Sequence, residues 1–144
     1  VSKKLGNNYR LWIESATPGT YNEIKGQQSL STSRASNQID ISDKNNAPYA
    51  LSAAGLFDYG ITLEGLADLP DANGFTLMDT RFKAQTSTNV QIRKGGSTGA
   101  SPADVVFEGL LNILELSINY PQNGGVSYSA KFGLAQAPTT DNLA

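Results

Sequence analysis

Two runs of strict alternation, residues 114–120 and 126–134, face each other across a turn-forming segment in the last third of the chain. Leu114, Leu116, Ile118 and Tyr120 alternate with Glu115, Ser117 and Asn119; Val126, Tyr128, Ala130, Phe132 and Leu134 then alternate with Ser127, Ser129, Lys131 and Gly133. Side chains of a strand point to opposite faces with period two, so each run has one apolar and one wet face. Pro121-Gln122-Asn123-Gly124-Gly125 lies between them, and Asn123-Gly124-Gly125 predicts a reversal through positive φ. The segment reads as a long antiparallel hairpin. Its wet face holds small and polar groups with no reactive cluster, which suits covering and packing.

The same logic predicts the elements upstream. Tyr9, Leu11 and Ile13 alternate with Arg10, Trp12 and Glu14 in a first strand, and Thr17-Pro18-Gly19 is a turn. Tyr21 to Lys25 reads as a short strand ending at Gly26, with further strands at Leu30–Ser33 and Gln38–Ser42, the latter anchored by Ile39 and Ile41. Tyr59, Ile61 and Leu63 resume the alternation, with Thr62 and Glu64 on the wet side. Pro70-Asp71-Ala72-Asn73 is helix-start chemistry, and Phe75, Met78 and Phe82 recur at helical spacing, which predicts a core-facing helix over about 71–85. Val90 and Ile92, then Val105 and Phe107, begin the closing strands around a Gly/Ser loop at Gly95–Ala103. That loop lacks the Gly-Lys-Ser/Thr ending of a phosphate loop.

Residues 43–58 break the pattern. Asp43-Lys44-Asn45-Asn46 and Pro48 lead into Tyr49, Ala50, Leu51, Ala53, Ala54, Leu56 and Phe57. One reading is a short helix tucked onto the core. The length and apolar content favour a long loop buried against another subunit. The expected architecture is therefore mainly β, an antiparallel sandwich or barrel-like sheet of about eight strands with one helix. It forms a single domain over 1–144, with polar arms at 1–8 and 136–144.

Composition narrows the chemistry. The chain has no His and no Cys, which removes thiol nucleophiles, disulfides, histidine bases, the usual zinc sites and Ser-His-Asp triads. Only a carboxylate-based hydrolase survives among common enzyme types, and the reading is a non-enzyme without cofactor or metal. No apolar run approaches a membrane span, so no membrane binding is expected of this chain. The net charge is −2 with no basic patch, whereas tight nucleic-acid binding draws most of its affinity from phosphate neutralisation. No basic residue lies between Lys44 and Arg81, while Asp58, Glu64, Asp68, Asp71 and Asp79 do. This is either a solvated acidic surface or a negative wall.

The order of elements resembles the tail tube (major tail) proteins of long-tailed bacteriophages and gene transfer agents. The resemblance is carried by the early strand YRLWIES, the strand QIDIS with its long following loop, the strand YGITLEG and the helix GFTLMDTRFKAQ. The run VVFEGLLNILELSINYPQNGGVSYSAKFGL looks like the closing strands of that family, so nearly the whole chain is covered. The resemblance implies homo-hexameric rings stacked into a hollow tube that passes double-stranded DNA without sequence-specific binding. It further implies a virion tail assembled in the bacterial cytoplasm, with tape-measure and tail initiator and terminator proteins as partners. Under it, Tyr49, Leu51, Leu56 and Phe57 become candidates for ring-to-ring contacts. Glu64 and Glu115, on wet strand faces, become candidates to line the bore, while Asp71 and Asp79 are expected to face outward near the helix. The alternatives are a carbohydrate-binding β-sandwich, for which Trp12 on the face of Arg10 and Glu14 would be a platform, and a pilus or adhesin subunit.

Overall fold

The computed structural model describes residues 6–95 and 104–142, apart from the side chains of Asn7 and Phe57. A 3-10 turn at Gly6–Asn8 leads into β1 (Arg10–Glu14), β2 (Tyr21–Glu23) and β3 (Gln27–Asp40). A second 3-10 turn at Lys44–Asn46 precedes β4 (Ser52–Leu66) and α1 (Phe75–Lys83). The chain closes with β5 (Thr88–Arg93), β6 (Val105–Asn119), β7 (Ser127–Leu134) and β8 (Thr140–Asp141). Every pairing is antiparallel, in the order β2-β1-β5-β6-β7-β4-β3, with β8 joined to β6. The Gly95–Ala103 loop falls mostly outside the described residues.

The sheet rolls but is not closed by a ladder. The first half of β6 pairs with β5 and its second half with β7, so β6 passes from one wall of the roll to the other. Alternate residues from both walls meet inside: Leu11 and Ile13, Ile61 and Leu63, Val90, Phe107, Leu111, Ala130 and Phe132 are buried. Tyr59 stacks on Phe107 at 4.7 Å between ring centres. Phe75 and Met78 of α1 complete the core, and Phe75 meets Tyr128 at 5.1 Å. Burial pushes the Tyr128 phenol above its ordinary range, which keeps it a neutral donor to the Lys25 carbonyl.

Where the ladder stops, one side chain bridges the walls. Gln27 at the start of β3 accepts from the Leu11 N–H at 2.9 Å and donates to the Leu11 and Ile24 carbonyls at 2.7 and 2.8 Å. It thereby acts as a strand partner for β1. Beside it Gly26 has φ +76°, and a β-carbon there would collide with the Leu66 carbonyl, so the approach of β2–β3 to the end of β4 requires glycine.

Several local expectations change. β3 is one continuous strand where two were expected, and β4 begins at Ser52, so the expected 43–58 loop shrinks to residues 41–51. The reason is mutual pairing: β3 and β4 stay paired from Gln27↔Gly65 to Asp40↔Ser52 across two register shifts, and the ladder carries positions with little intrinsic strand signal. The helix begins at Phe75 instead of about 71. Residues 71–74 form its entry turn, where Asp71 is buried and its carboxylate accepts from the N–H groups of Phe75 and Lys25 at 3.0 and 3.1 Å. Asp71 therefore faces inward, contrary to expectation; Asp79 pairs with Lys83 at 3.0 Å on the helix surface. A register shift between Ile113 and Glu115 flips the parity of β6. Ile113 is buried while Leu114, expected on the apolar face, is exposed, as is Tyr120 at the strand's end. The reversal at 120–126 forms without positive φ at Asn123, Gly124 or Gly125, because seven residues turn the chain more gradually than a two-residue hairpin.

Replacing Gln27 with Ala strands the Leu11 N–H and the Ile24 carbonyl at the seam and leaves the Leu11 carbonyl with only the Ile24 N–H at 3.4 Å. The expected cost is about 2–4 kcal/mol, read from urea unfolding; a change below about 0.5 kcal/mol would show that water replaces the bridge fully.

Candidate functional site and assembly surfaces

Beyond Gly60, the last β4 residue paired to β7 at Gly133, β4 has β3 as its sole partner among the described residues. The two strands continue alone as a ribbon to Asp40↔Ser52. Its tip is held by polar bonds: Ile41 N–H to the Leu51 carbonyl at 3.1 Å, Leu51 N–H to Ser42 Oγ at 2.7 Å, and Tyr49 N–H to the Asn46 carbonyl at 2.8 Å. Asp43 caps the 3-10 turn by accepting from Asn46. Asp40 accepts from Ser42 N–H, and this bond holds its carboxyl below the usual range.

This ordered tip presents apolar side chains to water. Tyr49 is 75% exposed and Leu56 86%, and Leu51, Ile39 and Ile41 are also exposed. Three of the four expected contact residues thus sit together on one projecting element. Phe57 occupies the β4 position opposite Ser36, and its side chain lies outside the described residues. The sequence reading missed Ile39 and Ile41 as members of this group, since it placed them only as the anchors of a strand over Gln38–Ser42. A register shift between Ser36 and Gln38 accounts for the protruding Leu56: Gly55 and Leu56 together oppose Asn37. An isolated two-stranded ribbon is marginal in water, and an apolar one is an association surface.

Glu64 and Glu115 come to one face. Glu64 lies between Ser29 on β3 and Ser129 on β7, and Glu115 lies opposite Lys131 on β7. The face, built by β6, β7, β4 and β3, is rich in hydroxyls: Ser31, Thr62, Ser117 and Ser127 occupy neighbouring positions. Lys131 Nζ stands 3.6 Å from Glu115 Oε2, so one carboxylate of the pair is partly neutralised. Lys131 matters here as much as the two acids. Its signal was the cross-strand register, which alternation within one strand does not contain.

Both edges of this four-stranded face are open. No strand pairs with the outer edge of β3 among the described residues, nor with residues 112–119 of β6 on the side away from β7. The opposite wall is finished differently. There Trp12 is buried under the Arg93 guanidinium, 4.5 Å above its ring, and Arg93 forks onto Gln91 Oε1 at 2.9 and 2.7 Å. Trp12 does lie on the Arg10 face, but as a covered packing element, which removes the platform of the carbohydrate-binding alternative. Residues 136–142 of the expected C-terminal arm run along the first half of β6, and Asp141 meets Arg34 of β3 in a short ion pair.

If the tip side chains serve other molecules and not this fold, removing them leaves the monomer intact. Leu56→Ser is expected to change unfolding free energy by less than about 0.5 kcal/mol, whereas Phe132→Ala costs about 3–5 kcal/mol. Urea titration of both variants is the check.

No protein-family model and no curated protein sequence matches the chain. Solved structures do. A chain from the tail of an empty gene transfer agent particle, refined helically with C6 symmetry, matches with a TM-score of 0.76 at 16% identity, over 96% of this chain and 98% of the other. A chain of the native gene transfer agent virion gives 0.78 at 14% identity, over 99% and 100%. The SPP1 tail tube gives 0.77 at 10% identity, over 99% of this chain and 81% of that one. The rolled sheet with its single helix is thus the fold shared with the tail tube proteins of phages and gene transfer agents.

Proposed function

We propose that the chain is a structural, non-enzymatic subunit of a phage-type tail tube. It assembles into homo-hexameric rings that stack into a hollow conduit for double-stranded DNA. The observation that carries this reading is the four-stranded face with two open, dissimilar edges, β3 on one side and the second half of β6 on the other. An edge of one kind meeting an edge of another is a heterologous contact, which generates closed rings when the rotation suits. Backbone pairing across it also removes the aggregation hazard of the open edges. The C6 symmetry of the gene transfer agent tail supports six copies.

In such a ring the hydroxyl-rich face lines the bore. Glu64 and Glu115, offset by Lys131, give each copy a net negative face, and hydroxyls bind phosphate far more weakly than ammonium or guanidinium groups do. A lumen of this kind lets DNA slide. The ribbon, with Tyr49, Leu51, Leu56 and Phe57, reaches the adjacent ring, where burying each large side chain is worth about 1.5–3 kcal/mol. The subunit's place is the virion tail, assembled in the host cytoplasm around a tape-measure protein between initiator and terminator proteins.

Two experiments test the reading. Joining Asp40 to Ser52 by an Asn-Gly turn removes the tip while keeping the β3–β4 register. The product is expected to fold and to fail to elongate under negative-stain microscopy; normal tubes would refute the ribbon's role. Replacing Glu64 and Glu115 with Lys is expected to leave assembly intact and slow DNA ejection, most at low ionic strength. Unchanged ejection from such tails would place the bore on another face.

A further inference from the structure

The exposed apolar side chains are segregated by position. Apart from Leu114 at its bulge, the large ones among the described residues lie either on the ribbon or at the opposite end of the same long strand. That second group is Leu66, Leu69 and Tyr120, at 42%, 56% and 73% exposure. Leu66 ends β4 and lies over Gly125; Leu69 follows on the segment leaving β4; Tyr120 opens the β6–β7 connection. This end is firmly tied, with Leu66 N–H donating to the Gly26 carbonyl at 2.9 Å and Ala67 N–H to the Val126 carbonyl at 2.7 Å. At roughly 3.3 Å per residue, the fifteen residues of β4 separate the two apolar groups by about 45 Å.

We propose that Leu66, Leu69 and Tyr120, with Asp68 beside them, form the seat that receives the ribbon tip of a second copy. The inference rests on the stacking role given to the ribbon and names the surface it stacks on. Two copies aligned head to tail along β4 bring tip and seat together, a heterologous contact that repeats without end.

Charge distinguishes this partner from a tip-to-tip contact. Lys44 is the sole cation of the tip, whose carboxylates Asp40 and Asp43 already accept from Ser42 and Asn46. Among the described residues neither Lys44 nor Asp68 forms an ion pair within the chain. Tip on seat allows Lys44 to meet Asp68, which among the described residues has no ion pair, whereas tip on tip offers Lys44 only Asp40 and Asp43, whose carboxylates are already hydrogen-bonded.

The test measures tube elongation by the full-length protein, by light scattering and negative-stain microscopy. Lys44→Glu and Asp68→Lys should each slow elongation about tenfold by opposing like charges, and the double reversal should recover to within about twofold of the parent. Leu69→Ser with Tyr120→Ser should abolish elongation while leaving the urea midpoint unchanged. Because the chain lacks cysteine, a mixture of Tyr49→Cys and Leu69→Cys proteins gives an unambiguous readout on oxidation. Heterodisulfides between the two variants support the seat; exclusive Tyr49→Cys homodisulfides overturn it. If the tipless ribbon variant fails to elongate while the seat variants elongate normally, the ribbon stacks elsewhere and this inference falls alone. If the tipless variant elongates normally, the stacking role itself falls.

Discussion

The structure turns on a seam that is closed at one end and open along its length. At Gln27 a single side chain does the work of a strand partner, and Gly26 lets the β2–β3 connection press against the end of β4. Past that point β3 diverges from β1, and no ladder follows it. A fully closed barrel would satisfy every backbone group internally and leave nothing to pair with. This roll instead seals its core at the seam and, among the described residues, leaves two long edges unpaired. The core can afford this because α1, through Phe75 and Met78, covers apolar residues that a closed sheet would otherwise enclose.

The two walls are finished differently. One wall is finished by interlocking large side chains, with Arg93 over Trp12 and held by Gln91, and with Arg10 paired to Glu23 at 2.7 Å. The other carries hydroxyls, few charges and open edges. β3 and β4 extend past the core as a ribbon that buries little of its own apolar surface. In a free monomer such an element is a hazard; in the proposed ring stack it becomes the connector. On the proposed function, the lack of a basic cluster in the sequence suits a subunit that lets DNA pass without holding it.

Much of the fold was legible in the sequence because its core strands alternate cleanly. Tyr59, Ile61 and Leu63, Val90 and Ile92, and the even positions of β7 all took their expected places, as did Phe75, Met78 and Phe82 on one helix face. What was not legible depends on partners distant in sequence. The bulge after Ile113 exposes Leu114, yet its cause is the pairing with Lys131 and Phe132 of β7. Trp12 occupies a nominally wet face and is covered by Arg93, eighty-one residues away. Asp71 has helix-start chemistry, but its burial follows from the neighbouring Lys25 N–H. Of the candidate site, the apolar tip was legible from composition. Its form as a paired ribbon was not, since the polar residues 34–37 of β3 carry no strand pattern to join the two short strands expected on either side.

Amide hydrogen exchange, compared between monomer and assembled tube, tests the central claim that the open edges are where subunits join. Backbone groups on the outer edge of β3 and on residues 112–119 of β6 should exchange quickly in the monomer and become strongly protected on assembly. Residues 90–93 of β5, already paired on both sides, should change little. Tubes in which both edges continue to exchange at monomer rates would contradict the account, because the subunits would then be held together by surfaces other than those the seam leaves open.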